Sequence, residues 1–524
     1  MSVVSAENKC GEGGDQTQHN YSKEQHGVSL DTDTPTTEGE SNDTPGEIIL
    51  EGTVKIAGKE KHMQLKANGL EIAVNPRKDK SKVMFIPLRE VISASIDTTP
   101  SDQQNSSFVV HHVQHKSNCS MKVTSLKIED LGKQAERWVS TILDQCLKVD
   151  GRPHKLFVLI NPIGGAGRAR QIYHKSVAPI FELAQIATKV KETDKSKHAL
   201  EIGETQDFSS FDGVVLVGGD GLYQEFLQGL TIQTQKKAGV NYHSPDTKFV
   251  PTPTPIGIIP AGTGNGVGRW INGSSDPETS ALSIVRGEQH RGQILTVHSD
   301  DKFICVSAMM LGYGLFSEII KRSEELRWMK RARYAYVLLA ALLKTKRVFK
   351  CELAYRVSTE NNKSVENANT DTSTEHHQDE EWSMYTKSNN HYCGISCGTL
   401  HTKSDGGKQF LSPFATHVQL GIDSGCGKIA MFRNMFHITP DEATSSTPSS
   451  NLEFINNVTA FKIKVLHDEP GDNLTQEQAR VRELERIVNA DGEIVYVDNP
   501  DILVRLHVAY VALYGRDKIK QSFW

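Results

Sequence analysis

Three glycine-rich turns hold the residues best suited to chemistry. In Leu216–Glu225, LVGGDGLYQE, Gly218, Gly219 and Gly221 surround one carboxylate, Asp220, where an apolar run ends and a helix-like run begins. Glycine has no Cβ, so the backbone reaches φ > 0 and a ligand can come close. A carboxylate held there cannot itself bind phosphate. It can orient magnesium, or accept a proton from an attacking hydroxyl. It can equally cap the helix GLYQEFLQGL. In NPIGGAGRAR, 161–170, Gly164, Gly165 and Gly167 would let backbone N–H groups approach a phosphate at a helix start. A tight strand-to-helix turn would use the same glycines. The stretch lacks both the Gly-Lys-Ser/Thr ending of a P-loop and the dinucleotide G-x-G-x-x-G. In PAGTGNG, 260–266, Gly262, Gly264 and Gly266 flank Thr263, whose hydroxyl can bond phosphate, and Asn265 can cap the next turn. Three such turns in this order specify far more than any one of them.

The elements that must position these turns read as a parallel sheet. KLFVLINP, FDGVVLVGGDG and PIGIIPAGTGN are near-continuous apolar strands, each ending in a glycine-rich turn, with helical stretches between them. Such strands indicate an α/β domain with a sheet covered on both faces, over 151–292. Ligands of such sheets sit at the carboxyl ends of the strands. After about 293 the alternation fades, and strand-like pieces predict a second, mainly antiparallel β-sandwich domain over 293–515, with flexible insertions at 357–382, 439–451 and 467–480. Residues 1–46 are polar and predict a disordered tail. Over 47–150, short alternating strands precede LGKQAERWVSTILDQCLK, a helix with Trp138, Ile142, Leu143 and Cys146 at helical spacing. This small β-barrel-and-helix pattern resembles a pleckstrin-homology domain. Lys55, Lys59, Lys61 and His62 lie in its first hairpin, where such domains bind lipid headgroups; a solvated turn is the alternative.

Composition narrows the function classes. The chain has 524 residues and net charge -5, so nothing in its overall charge argues for nucleic acid. The eight cysteines are scattered; only Cys393 and Cys397 are close, which fits a reducing compartment better than a metal site. No secretory signal or myristoylation pattern opens the sequence. YAYVLLAALL, 334–343, is too short to span a bilayer.

The three turns in this order resemble the catalytic domain shared by diacylglycerol, sphingosine and ceramide kinases. VAPIFELAQIATKVKETDKSKHA, SDPETSALSIV and MMLGYGLFSEIIKRSEELRWMKRARY are similar to the ceramide kinase branch, as is the pleckstrin-homology-like region in front. The resemblance covers about 47–515 and implies an ATP- and magnesium-dependent lipid kinase. It would act at a membrane surface as a cytoplasmic, peripheral protein of the Golgi or plasma membrane. Carried over residue by residue, it implies that Asn161, Gly164 and Gly165 help form the nucleotide pocket. Thr193 would contact phosphate or sugar. Gly219, Asp220 and Gly221 would form the catalytic turn, with Asp220 the general base. Gly262, Thr263 and Gly264 would lie against the nucleotide, and Arg327 and Arg333 would reach its phosphates. Asp491, Gly492 and Glu493 would return to the nucleotide and magnesium, the metal being held through ATP and by Asp220 or Asp491. Glu318 would stand near the lipid headgroup. On the residues alone, KRSEELRWMKRARY is a basic run that also fits a solvated or membrane-facing surface.

The sequence departs from that branch in places. PAGTGNG stands where vertebrate ceramide kinases tend to have PAGST, and HYCGISCG supplies two cysteines of a three-cysteine motif. LGIDSGCGK keeps Asp423 near one acidic position and has Lys428 at another. MFRNMFHI lacks the basic run linked to calmodulin, so calmodulin is not an expected partner. The acceptor on this reading is the primary hydroxyl of ceramide. The rivals are a sphingosine or diacylglycerol kinase, a lipid-binding protein with a catalytically inactive kinase fold, and a kinase of soluble substrates such as NAD.

Overall fold

The computed structural model describes residues 47–73, 83–97, 107–116, 119–129, 134–329, 332–343, 348–358, 381–398, 402–403, 409–410, 417–424, 452–466 and 475–516. The expected tail over 1–46 and the expected insertion over 439–451 lie outside them. Residues 47–516 fall in one compact unit.

Strands β1 (Ile48–Ile56), β2 (Lys59–Lys66), β3 (Gly69–Ala73) and β4 (Val83–Pro87) form an antiparallel sheet in sequence order. Strands β5 (Val91–Ile96), β6 (Phe108–His115) and β7 (Met121–Ile128) form a second one. Helix α1 (Ala135–Leu147) lays Trp138, Ile142 and Cys146 into the core between them, where Trp138 stacks on Phe108. Leu143, expected on the same face, is only half-buried. Another face of this region is also apolar: Ile92, Val113 and Met121 share a core with the strands and helices that follow.

Next come β8 (Lys155–Ile160), α2 (Ala169–Ile172), α3 (Ala178–Leu183), β9 (Ala187–Glu192), α4 (His198–Thr205), β10 (Gly213–Gly218), α5 (Asp220–Lys237) and β11 (Ile256–Pro260). Helices α6 (Gly266–Asn272) and α7 (Pro277–Arg286) follow. The four strands pair in parallel in the order β9-β8-β10-β11. From β8 the chain moves to one side for β9, then returns to the other side for β10. The order therefore reverses between β8 and β10, and a crevice opens outside their carboxyl ends. Strands β10 and β11 are buried along their whole length, which explains their unbroken apolar runs.

The antiparallel part begins with β12 (Gln289–Ser299), β13 (Lys302–Ser307) and β14 (Met310–Gly314). Helices α8 (Leu315–Glu325) and α9 (Ala332–Leu343) come next. Strands β15 (Phe349–Val357), β16 (Ser383–Met384), β17 (His391–Tyr392), β18 (Gly394–Gly398), β19 (Thr402–Lys403), β20 (Gln409–Phe410), β21 (Val418–Asp423) and β22 (Leu452–Val465) follow. The chain closes with α10 (Gln476–Glu485), β23 (Ile487–Ala490), β24 (Glu493–Tyr496) and β25 (Ile502–Tyr514). These strands pair antiparallel with one another. Strand β25 pairs antiparallel with β12 and β22 and places Leu513 parallel to Ile256 of β11. The two halves are thus hydrogen-bonded into one sheet.

Of two further expected insertions, 359–380 and 467–474 lie outside the described residues. Helix α10 takes in 476–480 at the end of the second, and Thr475 and Gln478 form a reciprocal capping box at its start. At the ends of 357–382, Val357 pairs in β15, and Trp382 lies between the charges of Arg356 and Lys462. Cys393 and Cys397 are buried in the antiparallel core, and among the described residues no group of three His, Cys, Asp or Glu could hold a metal ion. Among the described residues no helix is long and apolar enough to cross a membrane.

Candidate active site

Because β8, β10 and β11 are neighbours, their carboxyl-end turns are neighbours too. The turn after β8 begins at Asn161, whose N–H donates to Val217 O and whose Oδ1 accepts from Ile163 N and Gly164 N at 3.2 and 2.9 Å. Gly165, at φ +63°, lies against the third turn: a Cβ there would stand 2.9 Å from Ala261 O. The second and third turns touch backbone to backbone. A Cβ on Gly262 would stand 2.4 Å from Cα of Gly219. Only glycine on both sides allows that approach.

Asp220 links the same two turns. Gly219 is the N-cap of α5, so Asp220 is the first residue of its own helix and not its cap. Its carboxylate instead accepts Gly266 N and Val267 N, each at 3.0 Å, at the start of α6. Asn265, expected as that cap, has a left-handed backbone and turns its amide back to brace Gly262. A carboxylate offers about four acceptor positions. Two are used here, so Asp220 is fixed in direction and still able to accept a proton. Thr263 and Gly264 beside it are exposed, as are Gly165 and Gly167 across the crevice. The site is an open, glycine-walled cleft with one anchored carboxylate.

The return of the chain from β23 brings Glu493 to the second turn: its Oε1 lies 3.4 Å from where a Gly221 side chain would begin. Glu225, which sequence reasoning did not single out, stands one and a half helical turns beyond Asp220 and faces Glu493. Burial, and then the Glu493 charge, push its carboxyl above the ordinary range, while the backbone N–H groups of Lys197 and Ala199 oppose the shift. Glu225 thereby lies against the start of α4. That helix packs on α5 so closely that a Cβ on Gly229 would stand 2.1 Å from Leu200 O. The loop before α4 carries buried Thr193, whose N–H donates to Ile160 O at the end of β8.

Other expected residues are engaged elsewhere. Asp491 accepts Ser307 Oγ, Met309 N and Met310 N on Oδ1 and Ala308 N on Oδ2, at 2.7–2.9 Å, which ties down the loop between β13 and β14. Burial raises its pKa, and these hydrogen bonds oppose the rise. Gly492 follows at φ +92°, with its N–H on Asn489 Oδ1. Glu318, buried on α8, pairs with Arg322 at 2.5 Å and lies 4.0 Å from Arg480. Arg333 on α9 lies 3.4 Å from Glu324. Arg327 begins the short turn between α8 and α9; its side chain lies outside the description.

Comparison with known proteins bears on this cleft. Residues 155–297 match the family model described as the diacylglycerol kinase catalytic domain. The chain is 41% identical over 206 residues to ceramide kinase of Homo sapiens, covering 39% of this chain and 38% of that protein. It is 36% identical over 211 residues to sphingosine kinase 1 of Arabidopsis thaliana, covering 39% and 41%. The matched part is thus about two fifths of each relative's length. A solved diacylglycerol kinase structure from Bacillus anthracis aligns over 70% of this chain and 98% of its own, with a TM-score of 0.43 at 12% identity.

Proposed function

We propose that this chain, through the catalytic-domain match at 155–297, is an ATP-dependent lipid kinase that converts ceramide to ceramide 1-phosphate. The observation that carries the reading is Asp220, clamped between two touching glycine turns with acceptor capacity to spare. The primary hydroxyl of the lipid gives its proton to Asp220 as its oxygen bonds to the γ-phosphorus of ATP. The bond from that phosphorus to the bridging oxygen breaks, and ADP leaves. The backbone N–H groups of Gly165 and Gly264 would face the phosphates, those of Ile163, Gly164, Gly167 and Gly262 being donated to Asn161, Gly164 O and Asn265. Arg327 and Arg333 supply positive charge to the transferring group.

Magnesium fits the acidic groups present. Glu493 lies beside Gly221, and its charge adds to burial in raising the Glu225 pKa, so a cation between the two carboxylates would relieve part of that cost. Asp491 is committed to the β13–β14 loop by four hydrogen bonds and would act by holding Glu493 in place. Bound there, the ion would neutralise phosphate oxygens.

Ceramide is preferred over sphingosine for a second reason. An ammonium headgroup calls for a carboxylate with charge to offer, and Glu318 is already paired with Arg322. The antiparallel part would hold the lipid tails. The region 47–150, read as pleckstrin-homology-like, would meet anionic membrane through Lys55, Lys59, Lys61 and His62. On this reading the protein would lie peripherally on Golgi or plasma membrane, facing the cytoplasm. The test is transfer of label from ATP to ceramide, sphingosine and diacylglycerol in mixed micelles. Label on ceramide is expected. Label on another lipid alone would overturn the substrate, and none on any lipid would overturn the kinase.

A further inference from the structure

We infer that Arg516 is a positioning residue that couples the amino-terminal β region to Asp220 through α6. The inference rests on the reading of Asp220 as the catalytic carboxylate. Helix α6 is short and is gripped at both ends. At its start, the only side-chain acceptor on Gly266 N and Val267 N among the described contacts is Asp220. At its end, Arg516 N donates to Ile271 O at 3.2 Å, and the Arg516 guanidinium reaches Asn272 O at 3.5 Å. A cation is well placed there, where helix carbonyls are unsatisfied and the dipole is negative. Gly515 packs so tightly on α6 that a Cβ would stand 2.2 Å from Cγ2 of Ile271.

The same guanidinium crosses to the amino-terminal region. Its Nη1 donates to Cys119 O at 2.6 Å, and Nη2 lies 3.4 Å from Nδ1 of His115. His115 in turn holds Glu90 at 2.8 Å, and Glu90 also faces Arg286 at the end of α7. One planar fork thus joins the sheet β5–β7, the last described strand and the helix that Asp220 caps. Arginine can satisfy several acceptors at once in this way; lysine cannot. A separate contact, Lys122 with Glu278 and Asp276, joins the same two regions at the start of α7 without touching α6. Further contacts tie the amino-terminal region to α7, Met121 with Thr279, Val123 with Glu278 and Arg89 with Arg286, and apolar packing adds to them, whereas the Arg516 contacts run through α6 towards Asp220.

The full-length chain is compared as wild type, Arg516→Gln, Arg516→Lys and Lys122→Gln. Two readouts are used: steady-state transfer from ATP to ceramide, and amide exchange at 266–272. Arg516→Gln should lower kcat about tenfold or more, since misplacing a catalytic group by a fraction of an ångström is costly. Its KM for ceramide should stay within about twofold, and Gly266 and Val267 amides should exchange about tenfold faster. Arg516→Lys should fall between wild type and Arg516→Gln. Lys122→Gln should leave both readouts unchanged. A folded Arg516→Gln protein with wild-type kcat and exchange would overturn the inference, and so would equal losses in Lys122→Gln. Should Arg516→Gln not fold, Arg516→Lys decides: wild-type kcat and exchange there would overturn it. Were the wild type inactive on every lipid, the kinase reading would fall while the exchange readout still judged the coupling.

Discussion

Gly262→Ala tests whether the second and third turns must touch. The new methyl would stand 2.4 Å from Cα of Gly219 and 3.1 Å from Oδ1 of Asn265. Carbon atoms sit at about 3.5–4.0 Å, so the turns must separate by roughly 1 Å or more. Both neighbours are backbone or braced by backbone, so rotating a side chain offers no relief. Overpacking of this kind costs about 1–3 kcal/mol, and a shift of about 1 Å at a reacting group costs on the order of a hundredfold in rate. Thermal unfolding and kcat/KM for ATP are the assays. The expected result is a modest fall in Tm with a loss of about a hundredfold in kcat/KM. Gly398→Ala is the control, because a Cβ there meets nothing within 4 Å. A Gly262→Ala protein as active as wild type would refute the claim that this contact positions Asp220.

Gly229→Ala should destabilise by about 1–3 kcal/mol or more, read by denaturant midpoint, because its methyl would meet Leu200 O at 2.1 Å across the α4–α5 contact. Asp491→Ala should cost about 3 kcal/mol or more by stranding four donors, whereas Asp491→Asn, which keeps an acceptor and tolerates the left-handed backbone at φ +55°, should cost less. Equal unfolding midpoints for the two variants would contradict this. Burial holds the His507 pKa down to about 3, so the unfolded chain binds one more proton between that value and about 6.5. Stability from this group is present above about pH 6.5 and falls by about 1.4 kcal/mol per unit as pH drops below it. The slope should be smaller in His507→Gln, and equal slopes would exclude His507 as its source.

Much of this site was legible because glycine turns after apolar strands obey local rules. The runs LFVLI, GVVLVG and IGIIP are buried on both faces, and that burial makes the strands and their ends easy to read. What each turn touches was not legible. Asp220 caps a helix 46 residues away, and no local pattern marks that partner. Glu225 matters through Glu493, which lies far along the chain. The union of the two halves depends on β25 pairing with β12 and β11, more than 200 residues earlier. Helix α10 had a readable signal, the capping box at Thr475 and Gln478. A weak apolar pattern hid it: among its described side chains, Val481 and Leu484 are the hydrophobic ones in the core.

The central claim is that Asp220 does chemistry as well as capping α6. The decisive measurement is single-turnover transfer from ATP to ceramide by wild type and Asp220→Asn, each corrected for folded fraction. Asparagine keeps one of the two acceptors that the cap uses and turns its NH2 toward the other N–H, so stability should fall by about 1–3 kcal/mol. Loss of the base should slow transfer by about a hundredfold or more. Transfer at the wild-type rate would leave Asp220 a structural cap and contradict the account.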